Sequence, residues 1–184
     1  MKGSGVTGGE TGRIIYTVGH STRSIEEFLS LMIHYQIETV ADVRTLPGSR
    51  RVPQFNGEHL DKTLQAAGMD YRHFKLLGGL RHTTRDSFNT AWRNKSFRGF
   101  ADYMQTAAFL EGLQALVELS LKKTTVMMCA EAVPWRCHRS LIGDALLVRS
   151  FQVMDIFSET SVKPHTLTSF AVVEGTKVTY PAEA

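Results

Sequence analysis

The chain has 184 residues, of which 42% are hydrophobic and 21% charged, and its formal net charge is +3; this composition is typical of a globular protein with one hydrophobic core. No apolar run reaches the roughly 18 residues that a membrane-spanning helix needs, and the first residues lack the apolar region of a secretory signal. Two cysteines cannot form the disulfide framework of a secreted scaffold, so the sequence predicts free thiols, no membrane partner and a cytoplasmic location.

Charge and glycine content vary along the chain. Residues 1–12 contain five glycines and almost no apolar side chains, which predicts a disordered tail before a single domain of residues 13–184. Between Arg44 and Arg98 there are 11 Lys and Arg against 4 Asp and Glu, whereas the rest of the chain has 10 against 14. This basic central segment indicates an anionic partner, either a small molecule or a nucleic acid.

Strand and helix patterns alternate from residue 14 onwards. Short apolar runs predict five strands, at residues 14–18, 39–43, 71–77, 125–130 and 151–157. A capping box of Ser24 and Glu27 opens the first helix, and apolar residues at helical spacing predict further helices at residues 58–67, 106–121 and 138–148. Residues 78–98 form a long polar loop, and residues 170–173 and 177–180 can pair as a small C-terminal hairpin.

This alternation predicts an α/β fold, with one doubly wound, mostly parallel sheet of five strands and helices on both faces. In such folds the ligand binds beyond the carboxyl ends of the strands, where the strand order reverses. The residues that directly follow each strand are therefore the first candidates for a functional site.

Three of the predicted strands end in polar residues. These residues are His20 and Ser21, then Asp42 and Arg44, then Cys129 and Glu131. Side chains alternate along a strand, so Asp42 and Arg44 share one face of the sheet, and so do the residues of the last pair. Strand ends are often polar only because they meet solvent, but paired reactive and charged residues on two strands favour a site.

The stretch CAEAVPWRCHR contains both cysteines, Cys129 and Cys137. A proline turn ends the strand, and a helix is predicted to begin near Cys137. The helix N-terminus and the neighbouring Arg136 and Arg139 are conditions that lower the pKa of a thiol. Cys129 lies beside Glu131, whose charge opposes thiolate formation, so a structural role for Cys129 is favoured unless an arginine neutralises that carboxylate.

These motifs together resemble a known family. The sequence contains GHS after the first strand, DVR-x-x-P-x-S-R after the second, LGG before the polar loop and CAE-x-x-P-x-x-CHR after the fourth. The combination extends over residues 15–156 and resembles the family called domain of unknown function 488. The resemblance implies an α/β fold and a shared polar site, and it implies no particular reaction or cofactor.

The first functional hypothesis is an enzyme or binding domain for an anionic small molecule, such as a nucleotide or a phosphate, without a cofactor. Glu131 or His20 would transfer protons, and Cys137, with Cys129 as a further catalytic candidate, would act as a thiol. The residues predicted to bind the ligand are Ser21, Asp42, Arg44, Ser49, Arg50, His138 and Arg139. A cysteine-dependent phosphatase or sulfurtransferase is disfavoured, because neither cysteine has the arginine spacing of their anion-binding loops.

The second hypothesis is nucleic-acid binding through the basic segment. Residues 72–98 interleave seven Lys and Arg with Phe74, Phe88, Trp92 and Phe97, which suits backbone contacts combined with base stacking. The aromatic side chains can equally pack the loop onto the sheet, and this is the favoured interpretation. The sequence shows no helix-turn-helix or zinc-finger pattern.

The third hypothesis is a metal site formed by Cys129, Cys137 and His138, with His20 as a further candidate. The two cysteines lack the C-x2-4-C spacing that is usual in zinc sites. Adjacent residues such as Cys137 and His138 are also expected to diverge if both belong to a helix. The sequence alone therefore favours a site without a metal.

Overall fold

Six strands form the central sheet of the protein, whose computed structural model describes residues 13–182. The strands are β1 Ile14–Gly19, β2 Thr39–Asp42, β3 Asp70–His73, β4 Thr125–Cys129, β5 Gln152–Ser158 and β6 Ser161–Pro164. Their order is β3-β2-β4-β1-β5-β6; β1 to β5 run parallel, and β6 pairs antiparallel with β5. Two further strands, β7 Val172–Glu174 and β8 Lys177–Thr179, form the predicted hairpin. The predicted α/β class with a mostly parallel sheet is confirmed.

Five α-helices connect the strands of the described region, and local sequence fixes where several of them begin. They are α1 Ile25–His34, α2 Gly57–Ala66, α3 Lys95–Tyr103, α4 Ala107–Ser120 and α5 Arg139–Leu147. The Glu27 N–H donates to the Ser24 hydroxyl and the Ser24 N–H donates to the Glu27 carboxylate, which is the predicted capping box. The side chains of Asn94 and Thr106 cap α3 and α4 by accepting backbone N–H groups.

Two hydrophobic clusters cover the two faces of the sheet. Phe28 of α1 and Leu64 of α2 pack on one face, whereas Phe100, Leu113 and Leu141 of the other three helices pack on the opposite face. Right-handed crossovers explain this division, since the chain moves towards the β3 edge through α1 and α2 and returns through α3 and α4. β4 therefore lies between β1 and β2. The connection that follows β4 crosses the opposite face of the sheet from the connections that follow β1 and β2.

The structure corrects the predicted fold in three places. The sheet has six strands instead of five, because the chain turns back after β5 and pairs with it as the edge strand β6. The sequence SVKP is mostly polar and shows no clear strand pattern, so this strand was not predicted. The predicted strand at residues 71–77 ends at His73, and Lys75–Leu77 forms a 3-10 turn that buries Leu77. The predicted polar loop is shorter than expected, because α3 begins inside it at Lys95.

The remaining expectations concern the ends of the chain and the membrane. The predicted tail at residues 1–12 lies outside the described residues. The division into a tail and one domain of residues 13–184 stays a prediction. Among residues 13–182, no helix is both long enough and apolar enough to cross a membrane.

Candidate functional site

A cavity of about 530 Å³ lies at the carboxyl ends of β1, β2 and β4. These ends meet at one edge of the sheet, since Gly19 pairs with Cys129 and Asp42 pairs with Met128 in parallel register. The connection after β4 leaves on the opposite face from those after β1 and β2, and this arrangement opens a crevice at that edge. The cavity therefore lies where the strand order predicts a ligand site.

Seven of the eleven predicted site residues line this cavity. They are His20, Arg44, Ser49, Cys129, Glu131, Cys137 and His138. The other four, which do not line it, are Ser21, Asp42, Arg50 and Arg139. Arg44 and Glu131 follow two neighbouring parallel strands, β2 and β4, and both face the cavity, as expected for residues at the carboxyl end of the sheet.

Asp42 lies outside the cavity and holds Arg44 at its wall. Arg44 Nε donates to Asp42 Oδ1 at 2.9 Å, while Nη2 donates to Asp42 Oδ2 at 2.6 Å and to the Phe55 carbonyl at 2.8 Å. Asp42 is fully buried and also accepts a hydrogen bond from the Tyr71 hydroxyl at 2.8 Å. With Nη1 directed at His20, four of the five guanidinium N–H groups have partners.

His20 is buried beside this ion pair and is held in one neutral form. Its Nδ1 lies 2.9 Å from the Ser21 carbonyl, which can only accept, and its Nε2 lies 3.2 Å from Arg44 Nη1, which can only donate. The proton is therefore on Nδ1. Burial, together with the Arg44 charge, lowers the pKa of His20 to about 4. The ring stacks on Phe55 with the centroids 4.3 Å apart.

Cys129, Cys137 and His138 form a compact cluster in the cavity wall. His138 Nδ1 lies 4.0 Å from Cys129 Sγ and 3.7 Å from Cys137 Sγ, and the three atoms all lie within 4.8 Å of one another. Cys137 has an extended backbone (φ −133°, ψ 141°), whereas His138 has a helical one (φ −57°, ψ −17°), and α5 begins only at Arg139. The expectation that adjacent side chains diverge is wrong here, because the backbone conformation changes between them.

The two thiols differ in acidity in the predicted direction. Burial opposes ionisation of Cys137, but the hydrogen bond with Cys129 and the charge of Arg139 lower its pKa to about 7. The pKa of Cys129 is raised, because its hydrogen bond to Cys137 and its burial both favour the protonated form. The difference in pKa comes from the hydrogen bond between the two thiols and from the charge of Arg139. The predicted cause was the helix N-terminus, but Cys137 lies before the first residue of α5.

The predicted ligand-binding residues that lie outside the cavity have other surroundings. Arg139 is 1% exposed, and its Nη1 donates to the Glu131 carbonyl at 2.6 Å, so it fixes the loop that carries the exposed Glu131 side chain. Ser21 has a φ of 49°, and its N–H donates to the Ala130 carbonyl at 2.9 Å, which joins the ends of β1 and β4. Arg50 is exposed on the loop after β2.

Ten residues that line the cavity were not predicted as site residues, and Ser96, Phe97 and Arg136 are among them. Tyr71, which supports Asp42, was also missed. Ser96 and Phe97 belong to α3, whose apolar residues recur at helical spacing after the capping residue Asn94. That pattern could have identified the helix. No comparable signal exists for Arg136, since the 3-10 turn Pro134–Arg136 brings its side chain to the cavity.

The aromatic residues of the basic segment differ in their exposure. Phe74 is buried, and Trp92 stacks on Phe97 with the centroids 4.7 Å apart while it also contacts Tyr180. Phe88, in contrast, is 81% exposed. This packing favours the interpretation in which the loop covers the core, and of the four residues Phe88 has the exposure that base stacking requires.

Comparison with known proteins gives one match. The family model described as Domain of unknown function DUF488 matches the chain over residues 24–146. No curated protein and no solved structure matches it. The matched span includes Arg44 and the stretch from Cys129 to His138, whereas His20 precedes it.

Proposed function

The chain belongs to the family described as Domain of unknown function DUF488, and since that description names no reaction, we propose a function from the cavity itself. The protein is an enzyme that binds an anionic small molecule, of nucleotide or phosphate type, at the carboxyl ends of β1, β2 and β4. One observation carries this proposal: a guanidinium group without a side-chain partner among residues 13–182 faces the same cavity as two thiols and an imidazole.

Arg136 supplies the positive charge for the anion. Its side chain is exposed at the cavity and makes no hydrogen bond or ion pair with the described part of the chain. Arg44 is already neutralised by Asp42, but one N–H of its Nη1 is left to donate to a ligand. Guanidinium groups suit phosphates and carboxylates, because their planar N–H groups match two oxygens at once.

The cavity has room for an anion that carries a ring. Its volume of about 530 Å³ falls within the roughly 300–1,000 Å³ that is usual for small-molecule sites. Part of the lining is apolar, from the side chains of Leu46, Val52, Leu80 and Phe97. An apolar wall beside guanidinium groups suits a nucleotide better than inorganic phosphate alone.

Glu131 is a better candidate than His20 for proton transfer. The lone pair of His20 Nε2 already accepts from Arg44, and a pKa of about 4 keeps the ring neutral at pH 7. The Glu131 carboxylate faces the cavity and makes no hydrogen bond to another side chain within residues 13–182. It is therefore available to exchange a proton with a bound ligand.

Calorimetric titration of the full chain with AMP, adenosine and inorganic phosphate tests the proposal. We expect AMP to bind at least about 10-fold more tightly than adenosine, a difference of about 1.4 kcal/mol, and Arg136→Gln to abolish that preference. Arg85→Gln is the matched control, because Arg85 is exposed and does not line the cavity.

Two results would contradict the proposal. One is the absence of binding by both anions, and the other is an equal loss of AMP affinity in the Arg136→Gln and Arg85→Gln variants. A single-stranded oligonucleotide that binds with a steep salt dependence, when AMP does not bind, would favour the nucleic-acid alternative instead.

A further inference from the structure

We infer that Cys129, Cys137 and His138 form a Zn²⁺ site with three protein ligands and a fourth coordination position open to the cavity. The three side chains meet at the carboxyl end of β4, and all of them line the cavity. These three donors alone support the metal site, whereas the role of the fourth position rests on the proposed function.

The separations between the nitrogen and the two sulfurs are close to those around a tetrahedral zinc ion, and all three donor atoms lie within 4.8 Å of one another. With Zn–S bonds of about 2.3 Å and Zn–N bonds of about 2.1 Å, tetrahedral angles place sulfur and nitrogen ligands about 3.6 Å apart. His138 Nδ1 lies 3.7 Å from Cys137 Sγ and 4.0 Å from Cys129 Sγ. Small side-chain shifts therefore bring the nitrogen and both sulfurs into position around one ion.

The orientation of the His138 ring points a lone pair towards the two sulfurs. Its Nε2 lies 3.0 Å from the Val43 carbonyl and 3.0 Å from the Leu77 carbonyl. Both partners can only accept, so Nε2 carries a proton, and in the neutral ring Nδ1 then holds the lone pair. Metal-ligating histidines usually donate their other ring N–H to a carbonyl or carboxylate, because this fixes the tautomer and the ring plane.

The surrounding backbone restrains the same three donors. Gly79 packs so closely on the His138 ring that a side chain at this position would collide with it. Phe100 packs edge-on against the ring, with the centroids 4.9 Å apart. The Arg139 N–H donates to Cys137 Sγ at 3.5 Å, and such a bond stabilises the negative charge of a thiolate ligand. The ligand set is thus held in place before a metal binds.

The donor types indicate which metal fits and what it would do. Two sulfurs and one nitrogen select zinc over Mg²⁺ and Ca²⁺, which take oxygen ligands. Structural zinc sites have four protein ligands, whereas a site with three leaves a position for water or substrate. Here that position faces the cavity, which Arg136 and Glu131 also line. Bound zinc would lower the pKa of a water in that position, and the Glu131 carboxylate, which lines the same cavity, would accept the proton of that water.

Zinc titration of the metal-free full chain, in competition with a chromophoric chelator, tests the site. We expect one zinc per chain. With Co²⁺ as a spectroscopic probe, we expect thiolate-to-cobalt charge transfer in the near ultraviolet and the intense visible bands of a tetrahedral ion. Zinc binding below one equivalent, or a cobalt spectrum without charge transfer, overturns the inference.

Substitutions of the three ligands identify the site. Cys129→Ser, Cys137→Ser and His138→Gln should each weaken zinc binding at least about 100-fold. Loss of a residue that only hydrogen-bonds to a metal ligand costs up to about 100-fold in affinity, and loss of a ligand itself should cost at least as much. His59→Gln is the matched control, since His59 is exposed on α2 and should leave the affinity unchanged. Circular dichroism shows whether each metal-free variant is folded. If a variant does not fold, the cobalt spectrum of the unmodified chain shows whether thiolates bind the metal. If the ligand variants fold and their zinc affinity is unchanged, the inference is overturned.

The zinc site and the proposed function can fail separately. Arg136→Gln should bind zinc like the unmodified chain and lose its affinity for AMP. Zinc binding without binding of AMP or phosphate contradicts the proposed function alone, and AMP binding without zinc binding contradicts the metal site alone. AMP added to the cobalt-loaded chain should shift the visible bands; if they do not move, the anion does not use the fourth position.

Discussion

Two histidines with little exposed ring surface, His20 at the cavity and His165 after β6, lie in networks of opposite charge. His20 faces the guanidinium of Arg44, and burial with that charge lowers its pKa to about 4. His165 lies between Asp144 and Asp155, at 3.0 Å and 3.3 Å. Burial alone would lower the pKa of His165, but hydrogen bonds to these two carboxylates raise it to about 9. At pH 7 the first ring is neutral and the second is charged.

The difference shows that the charge of the adjacent side chains, more than the burial of the ring, decides whether each of these histidines is charged. The network of His165 is closed, because the Tyr180 hydroxyl and the Thr17 hydroxyl donate to the remaining carboxylate oxygens. It joins α5, β5 and the segment after β8, so its role is to hold the C-terminal part of the chain on the core. The network of His20 is open, because it ends at the cavity, where one N–H of Arg44 has no partner among residues 13–182.

The largest expected effect is the removal of the cation from either network. Arg44→Met and His165→Leu each leave a buried carboxylate without its charged partner, which should lower the free energy of unfolding by about 3–5 kcal/mol. Urea unfolding at pH 7 measures this loss. Arg136→Gln is the control and should stay within about 0.5 kcal/mol of the unmodified chain. A loss below about 1 kcal/mol in either variant would show that the carboxylate does not depend on that cation.

Alkaline pH should weaken the closed network. The folded pKa of His165 is raised to about 9, above the ordinary value of about 6.5, so its stabilisation is complete below pH 6.5 and is lost as pH rises through 9. The pKa difference corresponds to about 3 kcal/mol. Unfolding free energies between pH 6 and 10 measure the loss, and His165→Leu should remove this part of the alkaline dependence. An unchanged alkaline slope in the variant would mean that His165 is not charged in the folded protein.

Acidic pH should weaken the open network of His20. The loss of stability should be at most as large as the one expected for His165 at alkaline pH. The folded pKa of His20 is lowered to about 4, so the unfolded chain takes up this proton first, and stability falls as pH drops from about 6.5 to 4 by up to about 3 kcal/mol. Comparison of the unmodified chain with His20→Gln over this range isolates the contribution. A proton resonance of His20 that titrates near pH 6.5 would disprove the neutral, Arg44-bound form.

The smallest expected effect on stability comes from Glu131. Its side chain is exposed at the cavity, so Glu131→Gln should change the free energy of unfolding by no more than about 0.5 kcal/mol. The variant should lose conversion of whichever anionic ligand the unmodified chain turns over. Urea unfolding and turnover measured on the same preparation test both points. A loss of stability as large as that of Arg44→Met would place Glu131 in a buried ion pair.

The position of the site could be predicted from the sequence better than the state of its residues. Polar residues directly after apolar strands lie at one edge of a parallel sheet, and seven of the eleven candidates line the cavity there. Arg44 and Arg139 were predicted as ligand-binding charges, but each is buried and donates to protein groups. Sequence spacing does not show whether a charged side chain already has a partner, because that partner can come from any part of the fold.

The sequence by itself determined the order of the five parallel strands and of four of the five helices. It also determined the α/β class and the end of the sheet at which polar residues gather, because apolar periodicity, capping and turn residues act over short stretches. Only the tertiary structure decided the sixth strand, the charges of His20 and His165, and the convergence of Cys129, Cys137 and His138. The His138 ring is oriented by the carbonyls of Val43 and Leu77, which are 95 and 61 residues away in the chain. Such long-range hydrogen bonds form when distant segments pack together, so no local pattern encodes them.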